Sequence, residues 1–169
     1  AEGRVRLCHG DLHLRNVFLD DGRPVIFDCL EFNDDLATVD VAYDLAFLLM
    51  DLRRRGLDGF ANLAMNRSLD ATGDDGALAV LPFFMALRAA VRCHVRATRA
   101  AGPAAGEGPA AEARAYLALA ETLLAPPPPV LVAIGGLSGS GKSTVAAALA
   151  PRIGGGAGAR IYASDRLRK

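Results

Sequence analysis

Residues 9–16 decide the fold, and they read His9-Gly10-Asp11-Leu12-His13-Leu14-Arg15-Asn16. Asp28 follows after a predicted hairpin whose turn is Asp20-Asp21-Gly22. Phosphoryl transfer needs an attacking hydroxyl held in line and magnesium on the triphosphate. The pattern H-x-D-x-x-x-x-N, hairpin, Asp offers a proton acceptor and two oxygen ligands for that chemistry. An Asp-rich turn beside a hairpin would account for the same residues without any activity.

A second motif, at residues 136–143, reads Gly136-Leu137-Ser138-Gly139-Ser140-Gly141-Lys142-Ser143. It lies between apolar residues 130–134 and a helix predicted for about 141–150, so it is a Walker A P-loop in its expected context. Its glycines let backbone N–H groups surround the β-phosphate of ATP at a helix N-terminus. Lys142 is assigned to the β- and γ-phosphates, Ser143 to magnesium and Thr144 to the α-phosphate. The predicted nucleotide-binding residues are Gly136, Ser138, Gly139, Ser140, Gly141, Lys142, Ser143 and Thr144.

The charge and cysteine content exclude several classes of protein. The 169 residues contain 19 Lys+Arg and 19 Asp+Glu, a formal net charge of +0, which disfavours nucleic acid bound through bulk charge. Three scattered cysteines indicate reduced thiols rather than a disulfide framework. No apolar run is long enough to cross a bilayer, and no signal peptide opens the chain. We therefore expect a cytoplasmic protein without a membrane partner.

Hydrophobic periodicity predicts the organisation of the chain. Short strands are expected at 5–8, 17–19 and 24–27, and helices at 38–55, 57–71, 76–101 and from Pro109 onward. The run Pro126 to Pro129 is a stiff linker. It divides the chain into domains at 1–125 and 130–169, with the linker at 126–129. In the second domain, strands are predicted at 130–134 and 160–162.

The helix predicted at 76–101 has two distinguishable faces. The apolar face, expected to be buried, consists of Val80, Phe84, Leu87, Val91 and Val95. The other face has four arginines, Arg88, Arg92, Arg96 and Arg99. A solvated helix face is the expected interpretation of these arginines, and a grip on phosphate or on an acidic partner is the alternative.

Residues 9–16 resemble the catalytic loop of the aminoglycoside phosphotransferase and choline kinase group, a branch of the protein-kinase-like fold. Residues 26–32, Ile-Phe-Asp-Cys-Leu-Glu-Phe, resemble the metal-binding loop of that group. The resemblance implies that Asp11 is the catalytic base and that Asn16 and Asp28 bind Mg²⁺. Glu31 would contact metal or substrate, or cap the loop. Asp40 and Asp44 match acidic positions that have structural roles in the family.

The order of the two motifs resembles bacterial proteins in which an aminoglycoside phosphotransferase-like domain is fused to a P-loop ATP-binding kinase domain. The fold class expected from this resemblance is α/β. The mainly helical later half of a kinase-like large lobe precedes the opening strand, P-loop, helix and strand of a P-loop domain. The chain then looks like an internal fragment, without the upstream small lobe and the downstream remainder of the P-loop domain.

The end of the second predicted strand resembles that of small P-loop kinases, in which an Asp followed three residues later by Arg serves the acceptor hydroxyl and its phosphate. Asp165 and Arg168 have this spacing, which would make Asp165 catalytic and Arg168 a substrate ligand. A helix cap by Ser164 or Asp165 is the structural alternative.

Three functions are compatible with these patterns. The first is an ATP- and Mg²⁺-dependent phosphotransferase acting on the hydroxyl group of a small molecule, with the isolated chain expected to be inactive. The second is a nucleotide-binding regulatory protein without turnover, and the third is an inactive fragment. Retention of Asp11, Asn16 and Asp28 together favours the first, because a site without activity has no need of all three.

Overall fold

The computed structural model describes residues 3–102 and 107–164. Its strands are β1 (Val5–Leu7), β2 (Val17–Asp20), β3 (Arg23–Ile26) and β4 (Thr38–Asp40). Its α-helices are α1 (Asp34–Ala37), α2 (Val41–Arg54), α3 (Asp58–Thr72), α4 (Leu81–Ala101), α5 (Glu107–Leu124) and α6 (Lys142–Leu149). Short 3₁₀ helices span Leu14–Asn16, Asp75–Ala79 and Ala150–Arg152. The fold is mixed α/β and mainly helical.

The strands form two small antiparallel sheets. β2 and β3 make the predicted hairpin, with Val17 opposite Ile26, and the turn is closed by Asp21 and Gly22 in left-handed conformations. β1 pairs with β4, where Leu7 is opposite Thr38. The helix predicted from residue 38 therefore begins only at Val41, because residues 38–40 extend to pair with β1.

Helices α2, α3, α4 and α5 enclose the hydrophobic core. Its largest fully buried side chains are Leu49, Met50, Met65 and Met85. Several alanines, including Ala46, Ala61 and Ala89, are completely buried where the helices meet. Small side chains at these positions let the helix axes approach closely, which offsets the scarcity of aromatic residues in the chain. Among the described residues, no helix is long and apolar enough to cross a membrane.

Helix α4 differs from its prediction in both start and orientation. It begins at Leu81 after a separate 3₁₀ helix, because Pro82 lacks an N–H and belongs in a first helical turn. The expected apolar face was wrong for Val80, Leu87 and Val91, which are 36%, 40% and 45% exposed, whereas Phe84 packs against the core as expected. The buried face consists of Leu81, Met85, Ala86 and Ala89.

The expectation of a solvated arginine face holds for Arg99 and was wrong for the other three. Arg88 contacts the catalytic loop, Arg92 lies 5.0 Å from the centre of the Phe47 ring, and Arg96 pairs with Glu112 at 2.8 Å.

The two strands predicted after the proline linker do not form. Residues 130–137 and 161–163 have no regular structure, and Leu131 is 96% exposed. A strand satisfies its backbone groups only beside another strand, and the described residues offer none here. Helix α6, by contrast, confirms the helix predicted after the glycine-rich loop.

After α6 the chain returns to helix α3 and docks on it. The Asn62 Nδ2 donates to the main-chain oxygens of Ala157 and Ala159, both at 2.9 Å. The Arg160 guanidinium pairs with Asp70 at 2.7 Å and with Asp75 at 2.9 Å. Segment 157–161 thus lies against the first helical unit although it follows the linker in sequence.

Candidate active site

The catalytic loop, residues 9–16, brings Asp11 and Asn16 into direct contact. The Asn16 Nδ2 donates to the main-chain oxygen of Asp11 at 3.0 Å and to its Oδ2 at 3.3 Å. Asn16 is buried at the end of the 3₁₀ helix Leu14–Asn16. The two residues are five positions apart, and the chain between them forms a loop that is closed by the Asn16 amide on the carboxylate of Asp11.

The hairpin brings Asp28 to the same place. Phe27 N–H donates to the main-chain oxygen of Asn16 at 3.0 Å, which extends the β2–β3 pairing to the edge of the loop. The main-chain oxygen of Asp28 then lies 3.5 Å from Asn16 Nδ2. Asp28 has a left-handed φ of 60°, which is uncommon outside glycine and turns the chain sharply after β3. The structure thus places Asp11, Asn16 and Asp28 together.

His13 holds the carboxylate of Asp11 from the buried side. Its Nδ1 accepts a hydrogen bond from Arg15 N–H, so its Nε2 is the protonated nitrogen and donates to Asp11 Oδ2 at 3.3 Å. Burial lowers the pKa of His13, and the charge of Arg92 lowers it further, while Asp11 raises it. His13 is therefore a neutral donor at pH 7 that fixes the orientation of the proposed base.

Two buried carboxylates of α2 bind the backbone of the catalytic loop. Asp44 accepts from His9 N–H at 3.2 Å and from Gly10 N–H at 2.9 Å. Asp51, two turns further along α2, accepts from Leu14 N–H at 3.1 Å. Sequence reasoning identified Asp44 as structural and missed Asp51, whose position seven residues later on the same helix face was the available signal.

Gly10 is required at its position by sterics. Its φ of 79° is left-handed, and a Cβ atom there would lie 2.4 Å from Leu30 Cδ1. Leu30 also makes a main-chain contact with this loop, since its N–H donates to the His9 main-chain oxygen at 3.0 Å. The loop that follows Asp28 is thereby pressed against the catalytic loop.

Both loops open onto a depression of about 490 Å³ that is lined by Asp11, Asp28, Cys29, Leu30, Glu31 and Phe32. Glu31 therefore lies in the same opening as the predicted base and metal ligand. Asp40, by contrast, caps α2 by accepting from Ala42 N–H at 2.8 Å. The acidic character around the opening is thus contributed by Asp11, Asp28 and Glu31.

The donor set of this opening suits a hard cation. Among the described residues, no three His, Cys, Asp or Glu side chains converge as a complete metal site. Mg²⁺ needs none, because it is commonly bound by one or two protein oxygens together with substrate phosphates and water. Asn16 Nδ2 makes the hydrogen bonds to Asp11, so the Asn16 Oδ1 is left available as a ligand. The Asp28 side chain lines the same opening and offers a carboxylate.

The glycine-rich loop folds around its own lysine. The Lys142 Nζ donates to the main-chain oxygens of Gly136 at 2.9 Å and Leu137 at 2.6 Å. Gly139 and Gly141 adopt left-handed conformations before α6 begins at Lys142. Of the other predicted ligands, Ser138 and Ser140 lie in the loop, and Ser143 and Thr144 lie in the first turn of the helix. Asp165 and Arg168 lie outside the described residues.

Comparison with known proteins supports an aminoglycoside phosphotransferase-like kinase fold at the start of the chain. Residues 1–81, which include the catalytic loop and Asp28, match the model of the phosphotransferase enzyme family. The chain is 34% identical to "Uncharacterized protein Rv2004c" of Mycobacterium tuberculosis (strain ATCC 25618 / H37Rv). The identity is the same with "Uncharacterized protein Mb2027c" of Mycobacterium bovis.

The alignments cover 99% of this chain and 32% of each relative, so the chain spans about a third of the length of the relatives it matches. No solved structure matches the chain. Members of phosphotransferase families commonly use ATP and a divalent metal, in agreement with the chemistry of the opening.

Proposed function

We propose that this chain contributes the catalytic loop of an ATP-dependent phosphotransferase that acts on the hydroxyl group of a small molecule. The central observation is the amide of Asn16, which contacts Asp11 directly and lies beside the main chain of Asp28. One buried side chain thereby links the proposed proton acceptor to the main chain of the residue that carries the proposed oxygen ligand. Because this chain spans about a third of the length of its relatives, the activity of the whole protein is part of the proposal.

Asp11 is the proposed general base. Its Oδ2 accepts from His13 and Asn16, while no hydrogen bond reaches its Oδ1 within the described part of the chain. The side chain is 41% exposed and lines the opening. Oδ1 therefore accepts the proton of the substrate hydroxyl as the hydroxyl oxygen bonds to the γ-phosphorus and ADP leaves.

Asn16 Oδ1 and the carboxylate of Asp28 are the proposed ligands of Mg²⁺. The cation, when bound, neutralises charge on the phosphate groups. Glu31 lies in the same opening and is the proposed contact for a polar group of the substrate. The main-chain bond from Phe27 N–H to Asn16 C=O holds the residue before Asp28, and the Asn16 amide contacts the Asp28 main-chain oxygen, so both contacts form without a metal.

We further propose that residues 136–144 bind a second nucleotide. Lys142 Nζ, which contacts two loop carbonyls, would instead meet the β- and γ-phosphates, with Ser143 on Mg²⁺ and Thr144 on the α-phosphate. In this P-loop kinase-like domain Asp165 would serve the acceptor hydroxyl and Arg168 its phosphate. The two sites share no residue, so a substitution in one site should leave nucleotide binding at the other site unchanged.

The test follows ATP consumption and phosphate-ester formation by ³¹P NMR in the full-length protein, with a panel of amino alcohols, sugars and aminoglycosides. Asp11→Asn should lower kcat by about 10²–10⁴-fold and leave nucleotide affinity nearly unchanged. Asp21→Asn, in the hairpin turn, is the matched control and should retain full turnover. Near-normal turnover of Asp11→Asn would remove Asp11 from its role. ATP binding without transfer to any compound would favour a regulatory protein instead.

A further inference from the structure

Arg88 lies directly behind the catalytic loop, although it belongs to none of the motifs. It is on α4, 78 residues after Gly10, and its Nη2 donates to the main-chain oxygen of Gly10 at 3.1 Å. The guanidinium carbon lies 4.0 Å from the centre of the Tyr43 ring and 4.6 Å from that of Phe47. Both rings belong to α2, so the cation is wedged between the two helices and the loop.

The surroundings of Arg88 are costly for a cation that serves packing alone. Burial lowers the pKa of Arg88, while the neighbouring Tyr43, Asp44 and Asp11 raise it. Its Nε is buried and has no hydrogen-bond partner among the described residues. A buried, incompletely satisfied charge is weak evidence for a contribution to stability, since an apolar side chain of similar size often packs as well. The contact with Gly10 is the specific interaction that an apolar side chain cannot reproduce.

Arg88 and Asp44 hold opposite ends of the same residue. Asp44 Oδ1 accepts from Gly10 N–H, and Arg88 donates to Gly10 C=O. That carbonyl belongs to the peptide bond between Gly10 and Asp11. Asp44 holds the preceding His9–Gly10 peptide, and Arg88 holds the Gly10–Asp11 peptide. Glycine is the residue least able to fix its own backbone, so these two contacts together set the φ and ψ angles of Gly10, and the contact with Arg88 fixes the plane of the peptide that leads into Asp11. A rotation of this plane would displace the carboxylate relative to Asn16.

We propose that Arg88 is a positioning residue for Asp11, which fixes the Gly10–Asp11 peptide and thereby the direction of the base. The proposal rests on the proposed function, since it assigns Arg88 a role in transfer to the hydroxyl. Its chemistry requires a planar group that stacks on Tyr43 and Phe47 and donates at its edge. Lysine retains the charge but lacks both the planar guanidinium group that stacks on the rings and its fixed set of N–H donors.

The experiment compares Arg88→Ala, Arg88→Lys and Arg99→Ala in the full-length protein, where Arg99 is an exposed arginine of the same helix. Arg88→Ala should lower kcat by about tenfold to a hundredfold, because small displacements of a reacting group have effects of this size, and leave KM for ATP within about twofold. Added guanidinium ion should restore part of the rate of Arg88→Ala. The kcat of Arg88→Lys should lie between those of Arg88→Ala and the wild type, and the kcat of Arg99→Ala should equal that of the wild type.

A second readout does not depend on turnover. In the ¹⁵N–¹H spectrum of this chain, Arg88→Ala should shift the amide signals of Asp11 and Asn16 and leave those of α6 in place. Unchanged Asp11 and Asn16 signals would overturn the proposal, as would an unchanged kcat or a rate that guanidinium does not restore. If Arg88→Ala does not fold, Arg88→Lys supplies the same two measurements. A wild-type protein without any transfer would refute the proposed function, and the spectra would still decide whether Arg88 orients Asp11.

Discussion

The catalytic loop and the glycine-rich loop at 136–143 are held by the chain in opposite ways. Side chains of α2 and α4 bind the backbone of the catalytic loop: Asp44 and Asp51 accept from its N–H groups, and Arg88 donates to its carbonyl. The side-chain contacts of the glycine-rich loop, within the described residues, are made by its own Lys142. The first loop is therefore fixed by the helical core, and the second by itself.

This difference shows what each motif needs in order to become a site. The catalytic loop is shaped by partners that are already folded in this chain, so its geometry precedes any ligand. The apolar residues before the glycine-rich loop have no strand beside them in the described structure, and Val130 and Leu131 are 67% and 96% exposed. A strand at these residues would need neighbouring strands to pair with its backbone and cover its apolar side chains.

Removing Asp44 should have the largest effect on the catalytic loop. Asp44→Ala leaves two N–H groups without an acceptor next to the core. Each costs about 1–3 kcal/mol when buried, so we expect a loss of roughly 2–6 kcal/mol in the free energy of unfolding. Urea denaturation is the measurement. Asp40→Ala is the control, because it removes only a helix cap worth about 1 kcal/mol. Equal losses in the two variants would mean that the core does not fix the loop.

Arg160 tests the docking of the chain after α6. Arg160→Ala removes pairs with Asp70 and Asp75, of which Asp75 is half exposed, so we expect a smaller loss of about 1–2 kcal/mol. Amide exchange should become faster at residues 157–161 and stay unchanged in the catalytic loop. The control variant is Arg152→Ala, because Arg152 is exposed and lies in the 3₁₀ helix Ala150–Arg152, before the docked segment. Unaltered protection of 157–161 in Arg160→Ala would show that the ion pairs do not dock the segment.

Lys142 should affect binding and leave stability nearly unchanged. Its contacts are exposed and local, so Lys142→Ala should change the free energy of unfolding by less than about 0.5 kcal/mol. In the full-length protein the same variant should weaken ATP binding by about tenfold to a hundredfold, since a charge-assisted hydrogen bond contributes roughly 1.5–3 kcal/mol. Calorimetric titration measures the affinity. If Lys142→Ala binds ATP at the second site as tightly as the wild type, the glycine-rich turn is only a connecting loop and does not bind phosphate.

Ser143→Ala tests the same nucleotide site by the dependence of ATP binding on Mg²⁺. If Ser143 holds Mg²⁺, its removal should weaken ATP binding more with Mg²⁺ present than without it. The titration is therefore run in both conditions. An equal loss in the two would place Ser143 away from the metal.

His13 should produce the smallest effect, visible as a pH dependence. Burial lowers the pKa of His13 in the folded chain, so the unfolded chain binds the proton first as the pH falls. The free energy of unfolding should therefore decrease below about pH 6.5, the ordinary value for His, until the pH passes the lowered pKa. His13→Gln should reduce this slope in urea denaturation, and the exposed His94→Gln should not. Identical slopes in wild type and His13→Gln would contradict the burial of a neutral His13.

The parts of the site that could be predicted from the sequence are those set by local spacing. Asp11 and Asn16 belong to one loop, and the Asp-Gly turn brings Asp28 beside them, so few residues separate the partners. Arg88 could not be found in this way, because its contact with Gly10 spans 78 residues and its helix has arginines on a whole face. Only the packing of α4 on α2 decides which of those arginines turns inward.

The errors in the fold have the same origin. The four long helices were predicted to within about five residues at their ends, since their hydrogen bonds are internal, whereas the single-turn helix α1 was not predicted. The strands expected at 130–134 and 160–162 depend on partners elsewhere, and Arg160 instead binds the acidic residues of α3 and the 3₁₀ helix Asp75–Ala79. β4 was missed for the converse reason, because its partner β1 lies more than thirty residues away.

Residue-resolved amide hydrogen exchange measures the difference between the two loops most directly. The amides of Gly10 and Leu14, which donate to Asp44 and Asp51, should be protected nearly as strongly as the core helices. The amides of Leu131 and Val132 should exchange at rates close to those of an unstructured peptide. Rapid exchange at Gly10 and Leu14 would contradict the claim that the helical core fixes the catalytic loop. Strong protection at Leu131 and Val132 would contradict the claim that the segment before the glycine-rich loop has no partner strand within the described part of the chain.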